Sequence, residues 1–541
     1  MPGRQAEFDL LSLRSVAPMQ KRILNCKKTY FAGNGHSWVI LLTFLILSAF
    51  MTRPLLWRLG THVPGWVWGD NAEYVWKVWW TKRALIDHAV SLFYAPHIFY
   101  PTGFSLAGGE LTPAQTWLAL PLTVAFGPVV AYNTMAFASF VLTGFTTYLL
   151  VFWLSRDRWA ALLGGVIFTF LPFRYNRFGG QLPLMATQWM PLTFLFIERT
   201  LQTRRRRDAF LSGLFFALNA LSSWYYAAMV GLLLAVYMLV RTRPWRKNLV
   251  DQDLLACGLV MALTVVLLVG TLALPYLQAQ SEGNLTHAMS EADQWSASIT
   301  DYFVPNPLHP LWARYVVVYL VPTNELWRAF EFALSWGFGA SLMLLYLFVP
   351  PFGGLRVWSR FGVMAGLMVA VLAGLGLAAW RRERIEVAAC QQARLGSLFF
   401  IGLALFELMT LPFGMVKAGP RPVDEWLAAQ PESFVVIQLP YDKALEGTQL
   451  YYSQYHGKPI ASGYGSFFPR AFAEHEDDLR AFPADRCLDV LLGWEVRYIL
   501  VNPANFSDWP DMESRLAAQP RLRLAYDDGT VRAYELMEGR P

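Results

Sequence analysis

The sequence predicts a polytopic α-helical membrane protein, with about ten to twelve hydrophobic segments, that ends in a small α/β domain. Three observations predict it. First, the 541 residues are 55% hydrophobic, 16% charged and 15% aromatic with 22 Trp, and mean hydropathy is +0.32; membrane chains combine these values and soluble ones rarely do. Second, the basic clusters at 204–207, 241–247 and 381–384 each abut a hydrophobic run, as cytoplasmic loops do. The net charge of +6 is therefore no sign of nucleic-acid binding. Third, polar residues return from about Gly419, and 434–440 and 496–503 are patterned as buried strands ending in turns.

In chain order, residues 1–36 form a polar leader with Arg4, Arg14, Lys21, Arg22, Lys27 and Lys28, expected to be a cytoplasmic tail. Residues 38–51 read as a retained signal anchor, because Phe50-Met51-Thr52-Arg53 offers no small-residue cleavage site. A long outer loop follows at about 58–112. If 70–87 is helical, Asp70, Glu73 and Lys77 share one face, while Val75, Trp76, Trp79 and Trp80 supply apolar surface. That pattern predicts an interfacial helix, with its rings at headgroup depth and its carboxylates in water. An acid or base acting on a lipid-borne substrate would sit there; the alternative is an interfacial helix whose charges are merely solvated.

Residues 113–127 are short for a crossing and suit a tilted half-helix. Segment 128–154 spans to Arg156-Asp157-Arg158, 159–173 returns outward, and 182–197 comes back to the four consecutive arginines. Segments 210–223, 224–240 and 254–275 alternate in the same way, and a second outer loop covers about 276–328. Three further stretches, 331–350, 361–380 and 395–412, leave two topologies. If all three cross, residues 381–394 lie outside. If the first is re-entrant or broken at Gly337-Phe338-Gly339, those arginines are cytoplasmic and the tail is outside, which is the preferred reading. Within the tail, residues 418–541, helices are expected at 424–430 and 472–481, with a hairpin over 521–536 around Asp527-Asp528-Gly529. The tail carries no phosphate loop, metal cluster or nucleophile elbow. Tyr451, Tyr452, Tyr455 and His456 read as aromatic packing, and the four cysteines, with no CxxC pair, imply no zinc site or disulfide framework.

Phosphate suits the planar fork of arginine. Arg174 and Arg177, three apart, and Arg356 and Arg360, four apart, are the candidates at outer boundaries; snorkelling to headgroups is the alternative for each. Gln181 and Gln188 are candidates for sugar hydroxyls or for helix-packing contacts. In the second outer loop Glu291, Asp301 and His309 could contribute, although His309, between prolines, reads as structural.

Up to about residue 310 the chain resembles the GT-C superfamily of membrane glycosyltransferases, which includes oligosaccharyltransferase, the protein O-mannosyltransferases and the lipid A aminoarabinose transferase. The likeness is one of layout: a short N-terminal tail, one anchor, a large first outer loop with an acidic residue near its start, an interfacial segment, then many crossings. The chain is also similar to bacterial multi-spanning proteins grouped as YfhO-like or 6-pyruvoyl-tetrahydropterin-synthase-related. The stretches that carry this are Trp68-Gly69-Asp70 and residues 181–191, 296–312 and 355–361.

The resemblance implies a GT-C-like transmembrane domain over 37–417 in a multi-pass inner (plasma) membrane protein. It implies transfer of a sugar from a polyprenyl-phosphate-linked donor to an extracytoplasmic acceptor, whether cell-envelope glycan, lipid or protein. Asp70 is the matching base or metal ligand, Glu73 stands beside it, and Arg174, Arg177, Gln181, Gln188, Arg356 and Arg360 are the substrate-binding set. The family's second acidic motif is missing, since residues 174–181 contain no carboxylate. No cofactor is assigned, the metal ligands are unknown, and a divalent cation is left open. The expected partners are membrane lipid and the lipid-linked donor, with no nucleic acid. Two other classes remain. A lipid-linked-substrate transporter or flippase would show ionisable residues deep in the membrane and internal repeats, where Glu331 and Glu407 are almost the only acidic candidates. A non-enzymatic scaffold would use the tail to bind a partner.

Overall fold

The computed structural model describes residues 37–88, 90–106, 111–245, 250–281, 308–320, 357–387, 389–410, 412–465 and 468–538. The first part is a helical bundle. Its helices are α1 Ser37–Met51, α2 Asp70–Lys82, α3 Pro113–Phe126, α4 Pro128–Ser155, α5 Arg158–Thr169, α6 Pro172–Phe178, α7 Leu182–Met185, α8 Trp189–Thr203, α9 Arg206–Ser222, α10 Trp224–Arg241, α11 Gln252–Ser281, α12 Ala313–Tyr315, α13 Gly362–Glu386 and α14 Cys390–Glu407. Among the described residues four stretches are long and apolar enough to cross a membrane: Pro128–Ser155, Trp224–Arg241, Gln252–Gln278 and Ser359–Glu386. Ser37–Met51 and Arg158–Thr169 are shorter apolar helices. Helix α11 exposes Leu255, Leu259, Leu263, Val266, Leu267 and Leu274. An apolar surface of that extent suits hydrocarbon, not water. The chain is a helical membrane protein.

Small residues let the bundle close. A Cβ on Gly164 of α5 would stand 3.0 Å from the Ala370 carbonyl oxygen of α13, and one on Gly374 would stand 2.9 Å from that of Ala160. The α5–α13 crossing thus brings backbone against backbone, as small-residue interfaces in membranes do.

One end of the bundle is basic. Asp157 caps α5 by accepting from Trp159 N (2.8 Å) and Ala160 N (3.1 Å), and it pairs with Arg381 Nε at 2.7 Å. Arg381 also donates to Ser397 Oγ and the Ala393 carbonyl, and Arg382 donates to the Ser155 carbonyl. Arg241 and Tyr237 engage Glu198, Arg199 pairs with Asp208, and Arg204 pairs with Asp251. Arg381 and Arg382 therefore lie at the same end of the bundle as Arg156 to Arg158. The segment 331–350, on which the preferred topology turned, lies outside the described residues, as does the tail 1–36.

At the opposite end a two-stranded ladder joins β1 His62–Pro64 to β4 Met415–Lys417, so the chain beyond α14 returns to the base of α2. A second small pair, β2 Tyr94–Ala95 and β3 Phe104–Ser105, follows α2. Beyond β4 come α15 Pro422–Ala429, β5 Val435–Leu439, α16 Lys443–His456, α17 Arg470–Ala473, α18 Glu476–Arg480, α19 Asp485–Gly493, β6 Val496–Val501, α20 Trp509–Ala518, β7 Leu522–Asp527 and β8 Arg532–Leu536. The sheet order is β5-β6-β8-β7, with β5 and β6 parallel and the other pairs antiparallel. Helices α16 to α19 make the long crossover that parallel neighbours need. All five residues of β5 are buried, because Val435, Ile437 and Leu439 pack in one apolar cluster and Val436 in another on the opposite face. That explains an apolar run interrupted only by Gln438.

Helix α2 forms where the periodicity places it, but it is not interfacial. Asn71 to Val78 are all buried, between α3 and α4 on one side and α16 on the other. Trp76 Nε1 donates to Ser453 Oγ at 3.2 Å, and Trp80 Nε1 donates to the Leu92 carbonyl at 3.1 Å. The two indoles stack with centroids 5.7 Å apart. An apolar stripe reads alike whether lipid or protein covers it; here the C-terminal unit covers it. Tyr451 lies on Trp68 at 4.2 Å, which is the aromatic packing expected of that group. The expected helix at 472–481 is split into α17 and α18.

This arrangement predicts a labelling pattern. Single cysteines at exposed Ser91 and Ser507 are expected to react with an impermeant thiol reagent from the same side of the membrane, and one at exposed Arg205 from the other. Reaction of positions 91 and 507 from opposite sides would contradict it.

Candidate functional site

The site is built on close backbone approaches. Asn71, fully buried, accepts from Gly69 N (2.8 Å) and Ala72 N (2.9 Å), and donates to the carbonyls of Pro64 (3.0 Å) and Val67 (3.2 Å). One side chain thereby sets the whole loop into α2. Gly65 in that loop has φ +145, a region that glycine alone visits easily, and its N donates to the Gly414 carbonyl at 2.9 Å. A Cβ on Gly180 would lie 3.1 Å from Asn71 N and 3.2 Å from Asp70 Cβ. The turn after α6 is thus flush with the first residue of α2.

That approach delivers Gln181 to Asp70. Gln181 Nε2 donates to Asp70 Oδ2 at 2.7 Å, and the Tyr464 hydroxyl donates to Oδ1 at 2.6 Å. Arg177 donates to Gln181 Oε1 at 2.7 Å, so the amide can face Asp70 only with its NH2 group. Each carboxylate oxygen accepts one such bond from a side chain among the described residues. Asp70 borders an open cavity of about 680 Å³, together with Asn71, Asn176, Arg177 and Gln181 on its polar side and Trp66, Phe173, Tyr175 and Phe413 on its aromatic side.

Burial lowers the Arg177 guanidinium to about 10, and the positive charge of Arg360 acts in the same direction. Arg360 is itself buried and stacks on Tyr225 at 4.1 Å. The Nε of each arginine has no partner among the described residues. The charge of Asp70 acts on Arg177 in the opposite sense. Two guanidiniums within Coulombic reach of each other, neither in an ion pair among the described residues, suit an anion.

The other expected residues are placed differently. Arg174 is fully buried over Phe140 and donates to Ser139 Oγ (2.8 Å) and to the carbonyls of Met185 (3.1 Å) and Thr169 (3.2 Å). It ties α4, α5 and α7 together and does not line the cavity. Arg356 lies outside the described residues, as do Glu291 and Asp301. Glu73 is buried one turn along α2 in a 2.6 Å ion pair with Lys77, off the cavity. Gln188 is buried at the start of α8, also off the cavity. His309 accepts from the backbone of Leu311 and meets the Phe406 carbonyl at 2.9 Å, a structural role.

Among the described residues no group of three or more His, Cys, Asp or Glu side chains could hold a metal ion. Asp70 is a single carboxylate faced by an amide NH2 and a phenol hydroxyl, both donors. That set does not fit a divalent cation.

Tyr464 was not among the sequence candidates; its one local signal is the flanking pair Gly463 and Gly465. Its loop is pinned where Phe99 N donates to the Ser462 carbonyl at 3.0 Å. Beneath it, Glu446 accepts from Gln449 Nε2 at 2.9 Å, and Ser462 Oγ donates to Gln449 Oε1 at 3.0 Å. Glu446 is fully buried, its Oε2 has no partner among the described residues, and burial pushes its carboxyl up to about 8.

A helical membrane protein with a carboxylate and two close arginines at one end is the class that fold and site define. The chain belongs to the family described as "Domain of unknown function (DUF6311)", whose model matches residues 40–387. No curated protein matches it. Among solved structures it is similar to the archaeal oligosaccharyltransferase AglB from Archaeoglobus fulgidus in complex with an inhibitory peptide and a dolichol-phosphate, at 13% identity over 92% of this chain and 74% of that one, with a TM-score of 0.46. For the apo form of the A. fulgidus oligosaccharyltransferase the values are 14%, 93%, 74% and 0.49. For ArnT from Cupriavidus metallidurans bound to undecaprenyl phosphate they are 12%, 93%, 98% and 0.46. Likeness at that level decides neither activity nor site.

Glu446 yields a pH prediction. Between about pH 4.5 and 8 the folded chain holds a proton that the unfolded chain has released, so stability falls as pH rises through that window and levels off above it. Glu446→Gln is expected to melt higher than the parent at pH 8, with the difference closing towards pH 5. A difference independent of pH would contradict the buried, neutral carboxyl.

Proposed function

We propose that the Asp70 end is the active site of a glycosyltransferase that moves a sugar from a polyprenyl-phosphate-linked donor to an acceptor hydroxyl. The observation that carries this reading is the hydrogen-bonded chain from Arg177 through Gln181 to Asp70 on an open cavity, with the charge of Arg360 felt at Arg177. In the proposed step the acceptor hydroxyl gives its proton to Asp70 as its oxygen bonds to the anomeric carbon. The bond from that carbon to the phosphate oxygen breaks, and the phosphate leaves with the bonding pair towards Arg177 and Arg360. A base within hydrogen-bond reach and fixed cations at the leaving group are what such a transfer asks of a protein. Glu73 holds Lys77 and supports the helix that presents Asp70. By the basic-inside tendency the Arg156, Arg204 and Arg381 end is cytoplasmic, which puts the site and the C-terminal unit outside the inner membrane.

Asp70→Asn is expected to lower turnover by roughly 10²–10⁴-fold with membrane insertion unchanged. Glu73→Gln is expected to be milder. The assay uses a panel of dolichol- and undecaprenyl-phosphate sugars; near-normal transfer by Asp70→Asn would reject the assignment. Donor binding with no transfer by the parent would favour the flippase alternative.

Lysine keeps charge but loses the two-bond fork. Arg177→Lys and Arg360→Lys are therefore expected to weaken donor binding, whereas Arg174→Lys is expected to lower the melting temperature instead. Unchanged donor affinity in both of the first two variants would leave these arginines a structural role only.

A further inference from the structure

The cavity beside Asp70 has a second wall that the transfer chemistry does not use. Trp66 lies four residues before Asp70 and is 66% exposed. Its ring is nonetheless fixed. One side rests on Gly414, where a Cβ would collide with the indole, and Phe413 tilts against it with centroids 5.9 Å apart. The result is an aromatic surface at a cavity whose other side presents a carboxylate, three side-chain amides and a guanidinium.

Five main-chain groups around this mouth are already engaged. Gly65 N donates to the Gly414 carbonyl, Gly69 N donates to Asn71 Oδ1, and the Pro64 and Val67 carbonyls accept from Asn71 Nδ2. An extended peptide recognised by added-strand pairing would need such groups free. What remains is a flat apolar ring facing side-chain donors and acceptors. Asn176 is exposed on that polar side. A pyranose has the matching shape, an apolar C–H face and a rim of hydroxyls, and about 680 Å³ is room for a small saccharide.

We propose that the acceptor is a carbohydrate, seated with its apolar face on Trp66 and with one hydroxyl directed to Asp70. This deepens the glycosyl-transfer reading and rests on it for the identity of the site, but saccharide binding can be measured without transfer. Trp38 and Trp57 are also exposed, yet neither lines this cavity, and membrane anchoring suffices for them.

The test uses the full chain in detergent micelles, where anchoring to a bilayer plays no part. Saturation-transfer NMR is recorded with methyl glucopyranoside, methyl galactopyranoside and methyl mannopyranoside, and with a short serine-containing peptide as the non-carbohydrate probe. At least one pyranoside is expected to bind and the peptide is not. Trp66→Leu should weaken pyranoside binding about three- to tenfold, whereas Trp66→Tyr, which keeps an aromatic face, should retain most of it. Trp66 is exposed enough that an unchanged melting temperature can certify the fold of both variants. No pyranoside bound by the parent, equal binding by Trp66→Leu, or displacement of the saccharide by the peptide would each overturn the proposal. Saccharide binding without transfer from any polyprenyl-phosphate donor would sink the transfer reading and leave this one standing. Transfer to a non-carbohydrate acceptor that is insensitive to Trp66→Leu would do the reverse.

Discussion

The hydrogen bonds that converge on the Asp70 carboxylate are the constraint on which the rest of this end depends. Gln181 lies 111 residues away in the chain and Tyr464 lies 394 away. For both to reach one carboxylate, three backbones must meet with almost no side-chain volume between them. Gly180 provides one contact, and Gly447 another: a Cβ there would stand 3.0 Å from the Gly69 carbonyl oxygen. Bonds to a charged group contribute more than neutral ones, about 1.5–3 kcal/mol each. Their larger effect is geometric, because they fix the plane of the carboxylate and the direction of its remaining lone pairs. Tyr464 also makes the C-terminal unit a part of the site, not an appendage to it.

The two ends of the bundle follow opposite electrostatic rules. At the basic end, buried Arg381 pairs with Asp157, and the more exposed Arg241 and Arg204 pair with Glu198 and Asp251. Removing Asp157 would leave a buried guanidinium without its counter-ion, which is far costlier than losing a surface pair. At the Asp70 end, half-buried Arg177 and buried Arg360 make no ion pair among the described residues, and Arg177 meets Asp70 only through Gln181. Positive charge that a protein does not neutralise internally is charge available to a ligand. That contrast, more than any count of arginines, separates structure from chemistry in this molecule.

How much of this was legible in the sequence follows from the range over which each feature acts. Helix periodicity, the basic loops, the two buried strands and the hairpin over 521–536 depend on near neighbours, and the observed elements fall where the pattern puts them. Asp70 stood out because an acidic residue at the start of an aromatic-rich helix is a local anomaly. The burial of Trp76 and Trp80 was not legible, since an apolar stripe does not name its partner. The approach of Arg177 to Arg360 was hidden for the same reason: spacing of three or four suggested pairs within a helix, while the fold turned Arg174 inward to hold carbonyls. Tyr464 carried almost no signal, because its role exists only once two distant backbones have met.

The central claim is that Asp70 and the Arg177–Arg360 pair face one reaction centre. An experimental structure of the full chain with an undecaprenyl-phosphate ligand tests it most directly. The account predicts phosphate density within hydrogen-bond distance of both guanidiniums, with Gln181 still bridging Arg177 to Asp70. Phosphate bound elsewhere, with both arginines unaltered, would contradict it.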